Sequence, residues 1–145
     1  MNYRDDLMET ITVSSEKTQL DTVLNFIEEN LNHYTPSPKF IMQLELSIEE
    51  IFINIIEYAY KNDSSQKITI SYSSGKEPLR AIVTFLDEGP PYNPLKNQDP
   101  DTKLSLEERN IGGLGLFLVK KNVDYIDYEY ENEKNILTIE KNFEK

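Results

Sequence analysis

The sequence predicts an α+β protein, a two-layer α/β sandwich in which helices cover one face of a mixed, mostly antiparallel sheet. Three observations lead there. Two stretches, Leu20 to Leu31 and Leu44 to Ala59, carry apolar residues at helical spacing. Five shorter stretches alternate apolar with polar residues, or run apolar at strand length. The later strands follow one another through short turns, which implies antiparallel pairing with the helices gathered on one side.

The elements fall in the order β–α–α–β–β–loop–α–β–β. Residues 8–14 alternate weakly, Ile11 and Val13 against Thr10 and Thr12, and read as the first strand. From Lys17 to Tyr34, residues Leu20, Val23, Leu24, Ile27 and Leu31 recur at i, i+3, i+4, i+7 and i+11, an amphipathic helix. "YTPSPK" breaks it, and its prolines suit the start of another helix. That second helix is expected from about Pro38 to Tyr60, with Leu44, Ile48, Ile51, Phe52, Ile55 and Ala59 as its buried stripe.

"KNDSSQ" is a loop. Ile68, Ile70 and Tyr72 then alternate with Thr69, Ser71 and Ser73, and Leu79, Ala81, Val83 and Phe85 alternate with Arg80, Ile82 and Thr84. "SSGKEP" joins these two strands as a hairpin. Residues 88–112 hold four prolines and only scattered apolar residues, and a loop this long is often a lid. A helical pattern resumes in "LGLFLVKKNV". Two last strands close the chain, one around Ile126, Tyr128 and Tyr130, the other from Ile136 to Ile139.

A chain of 145 residues suits one domain, 1–145, with one sizeable core. No apolar run approaches the roughly 18 residues of a membrane span, and "MNYRDDLMET" has no apolar signal region. A cytoplasmic location is therefore the expectation. The absence of cysteine excludes disulfides, thiolate zinc sites and cysteine nucleophiles. A net charge of −11 argues against a nucleic-acid or anionic-membrane binder, because no basic footprint exists to displace counterions. Protein partners or a small ligand remain. A polyanionic ligand would need local help from backbone N–H groups or a metal.

Three motifs stand out. "FLDEGPPYNP" leaves a strand through Asp87, Gly89 and two prolines, which is poor sheet chemistry. An ionised carboxylate only accepts hydrogen bonds, so Asp87 at a strand end can receive an exocyclic N–H₂, and Gly89 lets backbone approach a flat ring. The plain alternative is an Asp-initiated turn. In "SIEEIFINIIEYAY", Glu50 and Asn54 lie four apart on one helix face, beside the apolar stripe. Such a pair can hold a hydrated cation and position a nucleophile, or simply be solvated polar residues. In "NIGGLGLFLVKK", Gly112, Gly113 and Gly115 precede a helix, a junction whose N–H groups suit phosphate. It matches neither the P-loop nor the Rossmann fingerprint.

In combination, order and context are far more specific than any one motif. The chain resembles the GHKL (Bergerat-fold) ATP-binding superfamily, and within it the anti-sigma-factor serine kinase branch. The resemblance runs from about Val13 to Ile139. "EEIFIN" resembles the N-box, "DEGPPYNP" the first glycine box and "GGLGLFLV" the second. It implies Glu50 as general base, Asn54 as Mg²⁺ ligand, Asp87 as reader of the adenine amino group and Gly89 lining the base. It implies that Gly112, Gly113, Leu114 and Gly115 cradle the phosphates of ATP under a lid of about residues 90–112. Arg109 sits where a basic lid residue would meet the γ-phosphate or a partner. Many relatives have His four residues after the N-box asparagine, where this chain has Tyr58.

The resemblance further implies a homodimer that phosphorylates a serine or threonine on an anti-sigma-factor antagonist, and that binds a sigma factor. The alternative is a nucleotide-binding partner switch that sequesters a regulatory protein without phosphoryl transfer. The remaining features have plain readings. His33 suits a helix C-terminus. Tyr125, Tyr128 and Tyr130 are read as sheet-face packing. The face of the first helix around Glu28, Glu29 and Asn32 is either a partner surface or ordinary solvated surface.

Overall fold

The computed structural model describes residues 8–96 and 111–143. Strand β1 (Glu9–Ser14) leads through a 3-10 turn into α1 (Leu20–Leu31), and α2 (Pro38–Asn54) comes after it. The start of α2 is built from its sequence. Ser37 Oγ accepts a hydrogen bond from the Phe40 N–H at 3.1 Å, and Pro38 occupies the first turn, where a missing N–H is harmless. The hairpin of β2 (Lys67–Gly75) and β3 (Arg80–Asp87) comes next, then α3 (Ile111–Asn122), β4 (Tyr125–Glu131) and β5 (Lys134–Asn142). Asn132 and Glu133 form the β4–β5 turn with φ of 54° and 62°, the left-handed pair that matches strand twist.

The sheet runs in the order β1-β2-β3-β5-β4, and every pairing among the described residues is antiparallel. The expected mixed sheet is thus corrected to a wholly antiparallel one. The chain crosses from β3 through α3 into β4, which runs parallel to β3 but one place away. β5 turns back into the slot between them, so no parallel neighbours remain.

The helices cover one face, as expected. Ile68 and Ile70 of β2, Val83 and Phe85 of β3 and Ile139 of β5 are buried against Val23 and Ile27 of α1 and Leu44, Ile48 and Phe52 of α2. On the other face, hydroxyls pair across strands, Thr12 with Thr69 at 3.0 Å and Thr10 with Ser71 at 3.2 Å. α3 packs beside α2. Phe143, just past β5, stacks on both Tyr34 and Phe40 with ring centroids 4.8 and 4.7 Å away, which anchors the sheet to the start of α2.

The second helix reaches Ala59 as the pattern predicts, but its end changes character. Regular α geometry stops at Asn54, and Ile55–Ala59 form a π-turn, with the Tyr60 N–H bonded to the Ile55 carbonyl at 2.9 Å. Such widened turns recur at functional sites. Tyr60 secures the far side of the turn. Its hydroxyl donates to the Lys67 carbonyl at 2.7 Å and accepts from the Glu88 N–H at 2.6 Å. The end of the helix is thereby tied to the start of β2 and the exit of β3.

Candidate functional site

Asp87 ends β3 in phase with Ala81, Val83 and Phe85, so its carboxylate enters the layer between sheet and helices. It is 4% exposed. The Gly89 N–H and the Asn135 amide each donate to Oδ1 at 2.9 Å. No hydrogen bond reaches Oδ2 among the described residues. Burial raises the carboxyl pKa above its ordinary value, and the hydrogen bonds from Asn135 and Gly89 pull against that rise.

Asn135 stands directly opposite Asp87 in the β3–β5 register and is equally buried. Its Nδ2 also donates to the carbonyls of Gly89 at 3.2 Å and Pro90 at 2.9 Å. Its Oδ1 accepts from the Tyr92 N–H at 3.2 Å and from the Tyr128 hydroxyl. One amide side chain thus holds both the carboxylate and the segment that leaves β3. Gly89 sits inside this knot. A Cβ there would lie 3.0 Å from the Ala59 carbonyl oxygen and 3.1 Å from Asp87 Oδ1. The close approach that glycine allows is therefore to the protein's own π-turn.

Asn54, the last residue of α2, is buried, and its Oδ1 has no hydrogen-bond partner among the described residues. A buried acceptor left alone costs about 1–3 kcal/mol, so it calls for a ligand or a water. Asn54, Ile55, Ala59, Asp87, Tyr92 and Asn135 are among the residues that line a cavity of ≈ 20 Å³ between the helix layer and the sheet. That volume takes a water molecule and not a purine ring. Tyr92 and Pro94 close over it from the loop after β3, and Tyr92 stacks on Tyr58 at 6.5 Å and 18°.

The sequence-predicted residues thus meet in part. Asn54, Asp87 and Gly89 converge. Glu50 lies one turn before Asn54, half-buried and outside the cavity lining. Its pKa is raised, first by burial and then by the charges of Glu49 and Glu57. Gly112, Gly113, Leu114 and Gly115 lie within the first turns of α3, which starts at Ile111, so the glycines open the helix rather than precede it. Arg109 and residues 97–110 of the expected lid lie outside the described residues.

Among the described residues no group of three or more histidine, cysteine or carboxylate side chains could hold a metal ion. The orphaned amide oxygen of Asn54 does fit one ligand position of a hard cation whose other ligands come from water and phosphate. Sequence reasoning missed Asn135, Tyr128 and Tyr92. Asn135 left a trace: two residues before Leu137, in phase with Leu137 and Ile139, a polar residue takes an inward position. Tyr128, read as sheet packing, contributes a hydrogen-bonding hydroxyl.

Comparison with known proteins agrees with this fold. The chain is 30% identical over 90 residues to serine-protein kinase RsbW of Bacillus subtilis (strain 168), covering 59% of this chain and 55% of that one. It is 26% identical over 101 residues to serine-protein kinase RsbW of Listeria monocytogenes, covering 67% and 63%. The chain thus spans a little over half the length of these relatives. A crystal structure of the RsbU and RsbW domains of Rv1364c from Mycobacterium tuberculosis shares the fold, with a TM-score of 0.65 over 94% of this chain and 32% of that one, at 15% identity. The family described as the histidine kinase-like ATPase domain matches residues 13–141, from β1 to the end of β5. With nearly the whole chain accounted for by that match, the protein belongs to the histidine kinase-like ATPase domain family, the GHKL group.

Proposed function

We propose that this chain binds Mg-ATP between α2 and the sheet and transfers the γ-phosphoryl group to a serine or threonine of a small anti-sigma-factor antagonist. The same domain, as a homodimer, would hold a sigma factor when that partner is absent. The observation that carries the reading is the pair of unmet acceptors at one cavity: buried Asn54 Oδ1 and, on Asp87, an Oδ2 that no described residue engages.

Each residue then has a task. Asp87 Oδ2 accepts the N–H of the base while Asn135 and Gly89 hold Oδ1 still. Tyr92 and Pro94 swing outward to admit the ring. Asn54 Oδ1 is the protein ligand for magnesium, which when bound neutralises phosphate charge. The backbone N–H groups that open α3 at Gly112, Gly113, Leu114 and Gly115 face the phosphates. Glu50 takes the proton of the attacking hydroxyl as the new O–P bond forms, the bond to ADP breaks and ADP leaves. Its raised pKa makes it a stronger base than an ordinary glutamate. Arg109 would meet the γ-phosphate or the partner.

The position of Glu50 outside the cavity lining favours a second reading, a nucleotide-dependent switch that sequesters its partner without transfer. One mixture separates the two. Protein, Mg-ATP and the cognate antagonist are incubated and the antagonist is weighed by mass spectrometry. A gain of one phosphate supports the kinase. ATP binding by calorimetry without that gain supports the switch. No nucleotide binding, in wild type as in Asp87→Asn, overturns both.

A further inference from the structure

The outer side of α2 departs from its own pattern. Leu44, Ile48 and Phe52 face the core, so the opposite side should be polar, yet Met42 and Leu46 lie there 54% and 46% exposed. With Leu24 of α1 and Ile41 they floor a groove of ≈ 430 Å³ between α1 and α2, rimmed by Glu45 and Glu49. That volume is close to one turn of helix with its side chains, about 10 Å across and 5.4 Å long.

The rim has an unusual electrostatic state. Glu28 of α1 sets its charge beside Glu45, while Glu49 lies one turn further along α2. No lysine or arginine lines the groove among the described residues. Burial first, then the neighbouring Glu28 carboxylate, push Glu45 up to about 7. A cation brought from outside would relieve the repulsion between these carboxylates.

We propose that the groove between α1 and α2 docks an amphipathic helix of a partner protein. Its leucine-like side chains pack on Leu24, Ile41, Met42 and Leu46, and its lysines or arginines pair with Glu28, Glu45 and Glu49. Helix-in-groove binding uses this combination of apolar anchors and flanking charge. Charge selects the occupant. A second copy of this chain, with net charge −11, would set like charges against the rim, as would an anionic lipid surface or an acidic peptide. The site lies on the outer side of α2, apart from the Asp87 cavity, so it stands whatever the nucleotide chemistry proves to be.

The test uses a labelled peptide of leucine and lysine with leucines at i, i+3 and i+4, and a scrambled peptide of the same composition. Both are titrated into the whole chain by fluorescence anisotropy at about pH 6 and about pH 8, either side of the Glu45 value. The amphipathic peptide should bind saturably and more tightly at the higher pH, where Glu45 has released its proton. Leu46→Asp should weaken it by roughly tenfold or more. Glu45→Gln should weaken it less and flatten the pH dependence. Circular dichroism checks both variants, with Met42→Asp replacing Leu46→Asp should that one unfold. Three outcomes each overturn the proposal: no saturable binding, equal binding of the scrambled peptide, or self-association of the chain that Leu46→Asp abolishes.

Discussion

Replacing Asn135 with alanine should cost more than any other single change at the site. The side chain donates to Asp87 Oδ1 at 2.9 Å, to the Pro90 carbonyl at 2.9 Å and to the Gly89 carbonyl at 3.2 Å, and accepts from the Tyr92 N–H at 3.2 Å. A hydrogen bond to a charged group contributes about 1.5–3 kcal/mol and a neutral one about 0.5–1.5 kcal/mol. Pro90 is exposed and its carbonyl can turn to water, so that bond counts for little. The remainder comes to about 2.5–6 kcal/mol, and water entering the enlarged cavity returns part of it. A net loss of about 3 kcal/mol is expected. With a urea slope of about 2 kcal/mol/M, the midpoint should fall by about 1.5 M. Nucleotide affinity, measured by calorimetry under native conditions, should fall roughly tenfold because Asp87 is no longer held. Asn135→Asp should behave differently. It keeps the acceptor but sets a second carboxylate beside Asp87, which raises both pKa values, so this variant should gain stability as pH falls. A midpoint shift below about 0.5 M for Asn135→Ala would show that the knot around Asp87 is supported from elsewhere.

Asn54→Leu should raise thermal stability by about 1 kcal/mol, since it removes a buried acceptor without a partner, yet abolish magnesium-dependent nucleotide binding; a variant both destabilised and fully binding refutes the assignment. Gly89→Ala should destabilise by about 1–3 kcal/mol in a urea melt, because its Cβ meets the Ala59 carbonyl at 3.0 Å and the π-turn has to shift. Glu50→Gln should slow phosphoryl transfer to the antagonist by about 10²–10⁴-fold at unchanged ATP affinity; transfer at the wild-type rate removes the general base. Nucleotide affinity should decline on acidification at a pH above the ordinary carboxylate range, because burial raises the Asp87 pKa and the protonated acid no longer accepts as a carboxylate. The stability term runs the other way. A raised carboxyl pKa means the folded chain binds the proton more tightly, so the Asp87 contribution to stability grows as pH falls. Affinity that stays flat down to the ordinary carboxylate range would contradict the role of Asp87.

Helical spacing revealed the helix layer because the residues it marked, Leu44, Ile48, Ile51, Phe52, Ile55 and Ala59, are all buried. Strand alternation placed Asp87 correctly, since a period of two extends from Phe85 to the next inward position. The features that failed to show were set by contacts distant in sequence. Asp87 and Asn135 are partners only because β5 inserts beside β3, and no local pattern records which strands become neighbours. The same insertion turned the expected mixed sheet antiparallel. The glycines of the α3 start read as loop because glycine is a poor helix former, yet Gly112, Gly113 and Gly115 lie inside the helix. The exposed Met42 and Leu46 were hidden by the core stripe on the same helix, whose strong apolar signal masks apolar residues on the opposite face.

The π-turn at Ile55–Ala59 changes which side chains of the helix end reach the cavity. In an α-helix the fourth residue after Asn54 would stand one turn above it, and that residue is Tyr58. With i→i+5 bonding the fifth takes the place, and the cavity is lined by Asn54, Ile55 and Ala59 while Tyr58 turns to stack on Tyr92. Counting fours from Asn54 therefore lands on Tyr58, outside the cavity wall, and counting fives lands on Ala59, which lines it. The turn acts as a phase shifter. One residue gained or lost within it would exchange a methyl group for a phenol at the cavity wall, and the buried stripe before it would keep its register.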